Sequence, residues 1–151
     1  MANTTAIATS FKSEILQAYH NFGTTVTRAG TGADTFKAAL YLTTASIGAS
    51  TTAYSGTGEV SGSNYSAGGV SVTNATPPTT SGTTAYWTPS AAITYSSVTL
   101  STAFDTVLIY NSTQSNRAVL SFNFGSTTIT SGTLTLNMPS NAAGTALINL
   151  S

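Results

Sequence analysis

The stretch FKAALYL, residues Phe36–Leu42, shows the pattern that governs most of this chain. Its side chains alternate, so that Phe36, Ala38 and Leu40 share one face while Lys37 lies on the opposite one. Such alternation is typical of a β-strand with one buried face. The stretch therefore predicts a strand, and related patterns recur along the rest of the chain.

Further strand-like runs follow toward the C-terminus, and Thr106–Asn111 among them is apolar on both faces, which indicates a central strand. An irregularity is expected at Ser96–Ser97, and the Pro77–Pro78 pair with its TTSGTT sequel predicts a loop. The segments STQSN, GSTTITSG and PSNAAG are turn-like. The other predicted strands are Gly69–Asn74, Ala85–Trp87, Ile93–Leu100, Arg117–Phe124, Thr133–Met138 and Ala146–Leu150. Short strands at this spacing predict a mainly β protein, an antiparallel β-sandwich or jelly-roll-like domain.

The N-terminal region differs, because its apolar residues recur at helical spacing. We predict one short helix from about Phe11 to Asn21, with Ser10 as its N-cap and Gly23 as its C′ residue. We accordingly divide the chain into an N-terminal arm and short helix, residues 1–22, and a β-sandwich domain, residues 23–151. The apolar stripe of the helix must be buried against its own sheet or a neighbouring subunit. Its candidate interface residues are Phe11, Ile15, Tyr19 and Phe22.

Charge and composition narrow the possible partners. Only 5% of the 151 residues are charged and the net charge is zero, whereas an ordinary soluble domain has about 25% charged residues. The four basic residues, Lys12, Arg28, Lys37 and Arg117, are scattered, which disfavours nucleic-acid binding. No stretch has the roughly 18 apolar residues of a membrane helix, so no membrane partner is expected. A neutral surface has little self-repulsion, which favours association with other copies or a partner.

The inventory of reactive groups is short, and it predicts no catalytic, cofactor-binding or metal-binding residue. The chain has one histidine, His20, and no cysteine, which disfavours metal sites. A Ser-His-Asp triad can be written with Asp34 or Asp105, but no G-x-S-x-G motif frames any serine. We therefore expect that the protein is not an enzyme.

The glycine-rich stretch GEVSGSNYSAGG, residues Gly58–Gly69, matches no phosphate-binding loop, since it lacks a lysine and a strand follows it. Its glycines are expected to form turns or bulges. Glu59 and Tyr65 are predicted structural anchors, with Glu59 pairing either with Arg117 or with a backbone amide. Arg117 and Trp87 complete the set of candidate anchors.

Seven tyrosines and one tryptophan leave two interpretations open. Exposed aromatic faces stack on sugar rings, so residues such as Tyr65 and Trp87 permit a glycan-binding module. Aromatic side chains also fill sandwich cores and subunit contacts, and we favour this second interpretation.

The order of several motifs resembles a family of small virion structural proteins of tailed bacteriophages. The motifs are FKAALYL with the following TTAY, then EVSGSNYSAGG, the TAYW segment and YNSTQSNRA. The resemblance covers about Phe11 to Gly125. Asn123-Phe124-Gly125 stands where the family pattern has an acidic D-F-G.

This resemblance implies a structural role in a phage particle. Our preferred assignment is a capsid decoration, or cement, protein that binds the outside of the major capsid protein shell and bridges capsomers, as a homo-oligomer such as a trimer. The expected location is the virion capsid surface, after synthesis in the host bacterial cytoplasm. The resemblance also permits a tail, neck or baseplate protein. The N-terminal segment Ala2–Phe22 is the part expected to reach a neighbour.

Overall fold

In the described part of the chain, two antiparallel sheets and one short helix form a β-sandwich-like fold, as the sequence pattern predicted. The computed structural model describes residues 2–16, 18–23 and 32–151. Arg28, one of the four basic residues, and Gln17, within the predicted helix, lie outside these described residues. The elements are β1 (Ala6–Ile7), α1 (Thr9–Leu16), β2 (Phe36–Leu42), β3 (Val70–Val72), β4 (Thr79–Ser81), β5 (Thr84–Trp87), β6 (Ile93–Asn111), β7 (Arg117–Leu136) and β8 (Ile148–Leu150).

The larger sheet has the strand order β1-β7-β6-β2-β3, and the smaller one has the order β4-β5-β8. The strand predicted at Phe36–Leu42 is confirmed as β2, with the same bounds. The prediction of a central strand at Thr106–Asn111 is also confirmed, because this part of β6 lies between β7 and β2 and all its residues are buried. The core is therefore centred on β2 and this half of β6.

The largest difference from the sequence prediction concerns β6 and β7. Each was predicted as two short strands, but each is one long strand, and the predicted turn GSTTITSG is wrong because it lies within β7. The two strands pair along their lengths with several register shifts. Gly125, with φ 88°, and Ser97, with φ 54°, lie at such shifts. Glycine and small polar residues therefore form bulges here rather than a turn. The irregularity predicted at Ser96–Ser97 is confirmed.

The β6–β7 ribbon bends back over itself. Ile93 and Ile109, near opposite ends of β6, line one groove together with Phe122 and Leu136 from β7. Bulges allow such a bend, because they increase the local twist of a strand pair. The half of the ribbon near Ile93 therefore packs over the half that pairs with β2.

The helix is shorter than predicted and begins earlier. It spans Thr9–Leu16, so Ser10 lies inside it instead of capping it. Ala18 has φ 56°, and the backbone N–H of Tyr19 donates to the carbonyl of Glu14. Gly23, predicted at C′, instead donates its N–H to Asn74 Oδ1 (2.7 Å). The chain turns away after Leu16 because tertiary partners hold the segment that follows.

The sequence pattern missed two short strands. Thr79–Ser81, predicted as part of a loop, is β4, and Ala6–Ile7 is β1. β1 pairs with β7 at Ser121 and Leu120, and thus gives the larger sheet one of its edges. The buried side chain of Asn3 donates to the carbonyl of Leu42 (2.9 Å). The start of the described N-terminal segment is thereby packed against the β-domain.

Candidate functional site

The glycine-rich stretch Gly58–Gly69 folds around one carboxylate. Glu59 Oε1 accepts hydrogen bonds from the hydroxyl of Tyr65 (2.7 Å) and the backbone N–H of Gly68 (2.8 Å). Glu59 Oε2 accepts from the hydroxyl of Tyr54 (2.6 Å). The predicted bond to a backbone amide is confirmed, whereas the alternative pairing of Glu59 with Arg117 is wrong, since Arg117 pairs with another carboxylate.

Tyr65 connects this carboxylate to the core. Its hydroxyl oxygen also accepts from the backbone N–H of Leu40 (2.9 Å), and its ring stacks on Tyr95 with 6.0 Å between centroids. Burial, followed by the hydrogen bond to Glu59, raises the pKa of Tyr54 to about 12. Burial also raises the pKa of Tyr65 above its ordinary range. Both hydroxyls therefore stay protonated and act as donors to Glu59 at neutral pH.

Gly69 ends the stretch where no side chain fits. It has φ 71°, and a Cβ at this position would collide with the carbonyl oxygen of Ala38 on β2. Positive φ and close approach of a second backbone both require glycine. Together with Glu59, this glycine fixes the loop on the face of the larger sheet. The cluster is a structural anchor, because three donors from separate parts of the chain bind one carboxylate.

A second cluster joins the helix to the ends of β6 and β7. Glu14 is buried; its Oε1 pairs with Arg117 Nη1 (2.6 Å) and its Oε2 with His20 Nε2 (2.8 Å). The guanidinium of Arg117 also lies 4.2 Å from the ring centroid of Tyr19, a cation–π contact. The sequence pattern missed this use of Glu14, because the three partners meet only in the folded chain.

Asn111 sets the protonation state of His20 in this cluster. Its Oδ1 accepts from the backbone N–H groups of Thr113 and Gln114 (both 3.1 Å), so its Nδ2 faces His20 Nδ1 (3.1 Å) and Asp34 Oδ2 (2.8 Å). Since an amide nitrogen only donates, His20 Nδ1 must accept and Nε2 carries the hydrogen toward Glu14. Burial lowers the pKa of His20 below its ordinary 6.5, although neighbouring carboxylates oppose this shift. His20 is therefore a neutral structural residue at neutral pH.

All four carboxylates of the chain hold separate segments together. Asp34 accepts from Asn111 and from the backbone N–H of Asn21 (2.8 Å). Asp105 accepts from Asn3 Nδ2 (2.6 Å), and the other two carboxylates anchor the clusters above. No group of three or more metal-ligating side chains occurs in the part of the chain that the structure describes.

The predicted interface residues turn inward. Phe11 is 1% exposed and lies in the core, while Phe22 stacks on Phe36 (4.7 Å between centroids) and contacts Trp87 (4.5 Å). Ile15 and Tyr19 are half-buried. Of the alternatives left open by the sequence, the apolar stripe thus packs against its own domain. Phe11 is unavailable to a partner in this conformation.

The aromatic residues proposed for sugar stacking are also occupied. Trp87 is 2% exposed and its Nε1–H donates to the carbonyl of Thr76 (2.9 Å). Tyr65 is fixed by its hydrogen bonds to Glu59 and Leu40. An apolar cleft of about 540 Å³ lies beside Trp87, but both ring nitrogens of His20 in its wall are already hydrogen-bonded. Asn21 in the same wall has a buried Nδ2 without a hydrogen-bond partner among the described residues, so the polar donor that the cleft still offers is this amide.

The remaining feature is a broad outer face on the β6–β7 ribbon, which we call the hydroxyl face. Its inner side is apolar, with Ile93, Tyr95, Val98 and Leu100 buried. The chain has no charged side chain after Arg117. The exposed hydroxyl residues of the face are Thr94, Ser96, Ser97, Ser101, Thr102, Ser126, Thr128, Thr130, Ser131, Thr133 and Thr135. This face combines extended backbone with an uncharged polar coat.

Comparison of the chain with known protein families, with curated proteins and with solved structures found no match. Within the described residues, no helix is long and apolar enough to cross a membrane.

Proposed function

We propose that this chain is a structural protein of a tailed-phage virion, a capsid decoration protein that binds the outside of the major capsid shell and bridges capsomers. The observation that supports this function best is the hydroxyl face. It is large and uncharged, whereas the carboxylates and His20 are engaged in internal contacts. The protein thus has a surface for association and few free groups for proton transfer.

The mechanism is repeated weak binding. A neutral hydroxyl surface can donate and accept hydrogen bonds without the desolvation cost of buried charges. Each hydrogen bond across such a contact contributes only about 1 kcal/mol. This is sufficient because many copies bind together on a symmetric shell. Threonine and serine side chains also lose less conformational entropy than long charged ones when they are immobilised.

The test uses virions of the phage that encodes this chain. We expect quantitative mass spectrometry of purified particles to find on the order of hundreds of copies, as a shell lattice requires. A few copies to a few dozen would instead support the tail, neck or baseplate alternative. Absence from purified particles would contradict both.

A binding assay tests the hydroxyl face directly. Shells prepared without the protein are mixed with purified protein, and bound copies are counted after sedimentation. Ser101→Lys places a charge on the exposed middle of β6 and should reduce binding at least tenfold. Ser140→Lys adds the same charge at an exposed position outside the face, and should bind like the unchanged protein. Equal binding of the two variants would contradict the assignment of this face.

A further inference from the structure

The distal part of β7 is a long sheet edge that nothing covers in the described part of the chain. β1 pairs with β7 only at Leu120 and Ser121, and Thr5 adds a side-chain bond to the N–H of Asn123 (2.8 Å). Beyond Asn123, β7 has no backbone partner other than β6 among the described residues. The uncovered stretch runs to Leu136 and spans roughly 40 Å at about 3.3 Å per residue.

Apart from two bulges, this edge lacks the devices that usually prevent strand pairing. Natural edge strands are often short, or carry lysine, proline or inward-pointing charges. The residues from Asn123 to Leu136 include neither a proline nor a charged residue. Bulges interrupt β7 near Gly125 and between Ile129 and Gly132, but Gly132–Leu136 keeps alternating side chains. The usable edge is therefore this last segment, GTLTL.

The segment Gly132–Leu136 matches itself in the antiparallel direction. A twofold axis at Leu134 would place Leu134 opposite its own copy and Thr133 opposite Thr135 of the second chain. Facing residues then lie on the same side of the sheet, as antiparallel pairing requires. Thr133 and Thr135 are exposed while Leu134 is half-buried, so Thr–Thr pairs would form on one face and a Leu–Leu contact on the other.

We infer that two copies of this chain join their larger sheets edge to edge through Gly132–Leu136 of β7. The uncharged edge favours a second copy of this chain as its partner. The same segment of a second copy has no charge that could repel this edge, whereas a charged partner strand would find no opposite charge on it. Such an isologous contact closes at two copies. It therefore predicts a dimer, where the preferred capsid assignment gave a trimer as its example, and it holds whether or not the protein acts on a capsid.

Mass measurement of the purified protein tests the dimer. Sedimentation equilibrium should show the mass rising with concentration to twice 15.3 kDa. Thr135→Lys on the edge strand should raise the dissociation constant at least tenfold. The control is Thr94→Lys, because Thr94 is the direct neighbour of Thr135 on β6 and lies on the same exposed face, one strand away from the edge. It should dimerise like the unchanged protein.

Cross-linking tests the position of the axis. The chain has no cysteine, so Leu134→Cys introduces a single thiol that faces its own copy at about 5 Å between Cβ atoms. Mild oxidation should convert this variant to a covalent dimer, while Thr94→Cys should stay monomeric in denaturing gels. A monomer at all concentrations up to about 1 mM, a trimer, or equal cross-linking of both cysteine variants would overturn the inference.

Discussion

Replacement of Glu59 by glutamine tests whether the glycine-rich stretch is held by a half-buried carboxylate. Glutamine keeps the size of the side chain and one acceptor oxygen. With that oxygen in the position of Oε1, the bonds from Tyr65 and Gly68 survive as neutral ones, and the new amide group can donate to the hydroxyl of Tyr54. The perturbation therefore removes the charge from three hydrogen bonds while preserving the contacts.

The magnitude follows from those bonds. A hydrogen bond to a charged group contributes about 1.5–3 kcal/mol and a neutral one about 1 kcal/mol. Three bonds together lose roughly 2–4 kcal/mol, and relief of carboxylate desolvation offsets part of this loss. We expect Glu59→Gln to lower the free energy of unfolding by about 1–2 kcal/mol. Glu59→Leu leaves the donors unpaired and should cost about 3–4 kcal/mol.

Two tyrosine variants provide matched controls. Tyr54→Phe removes one donor to Glu59 and should cost about 1–2 kcal/mol. Tyr65→Phe also leaves the backbone N–H of Leu40 without its acceptor, so it should cost about 3 kcal/mol. Because Tyr65 and Glu59 share a contact, the double variant Glu59→Leu/Tyr65→Phe should cost about 1 kcal/mol less than the sum of the single changes.

Urea unfolding followed by tryptophan fluorescence measures these differences, since Trp87 is the only tryptophan and is buried. For a chain of this length, each kcal/mol corresponds to about 2–4 °C in Tm. Glutamine and leucine variants within about 0.5 kcal/mol of the unchanged protein would refute the reasoning. So would a Tyr54→Phe variant that costs as much as Tyr65→Phe.

Three further perturbations have expected outcomes. Gly69→Ala should cost more than about 4 kcal/mol or prevent folding, while Gly82→Ala, at a positive φ with open space around it, should cost about 1 kcal/mol in the same urea assay. Arg117→Ala leaves the buried carboxylate of Glu14 with His20 alone and should lower Tm by roughly 4–10 °C, measured by calorimetry. The pKa of His20 is lower in the folded than in the unfolded chain, so the unfolded chain takes up a proton on His20 at a higher pH. The free energy of unfolding should therefore fall as the pH drops below about 6.5, by at most about 1.4 kcal/mol per pH unit. His20→Gln should weaken the dependence of the urea midpoint on pH between about pH 7.5 and 5.5. An unchanged pH dependence in this variant would contradict the assignment of the effect to His20.

Local patterns located β2 and the Thr106–Asn111 part of β6. Phe36–Leu42 was predicted with the bounds of β2, because alternation of apolar side chains is encoded within the strand itself. The helix was located in the right region, but its end was wrong. The chain leaves the helix after Leu16, where Asp34 and Asn111 hold the following residues through contacts distant in sequence. A helical pattern cannot report such partners.

Composition and short-range pattern alone determined that this is a β protein with few charges and a glycine-bearing loop whose carboxylate needs donors. Tertiary structure decided which donors reach Glu59, which carboxylate pairs with Arg117, and that GSTTITSG continues β7 instead of turning. The physical reason is that glycine, serine and threonine permit turn, bulge and strand alike. The neighbouring strand β6 selects among these conformations by pairing with the backbone, and its register depends on residues far away along the chain.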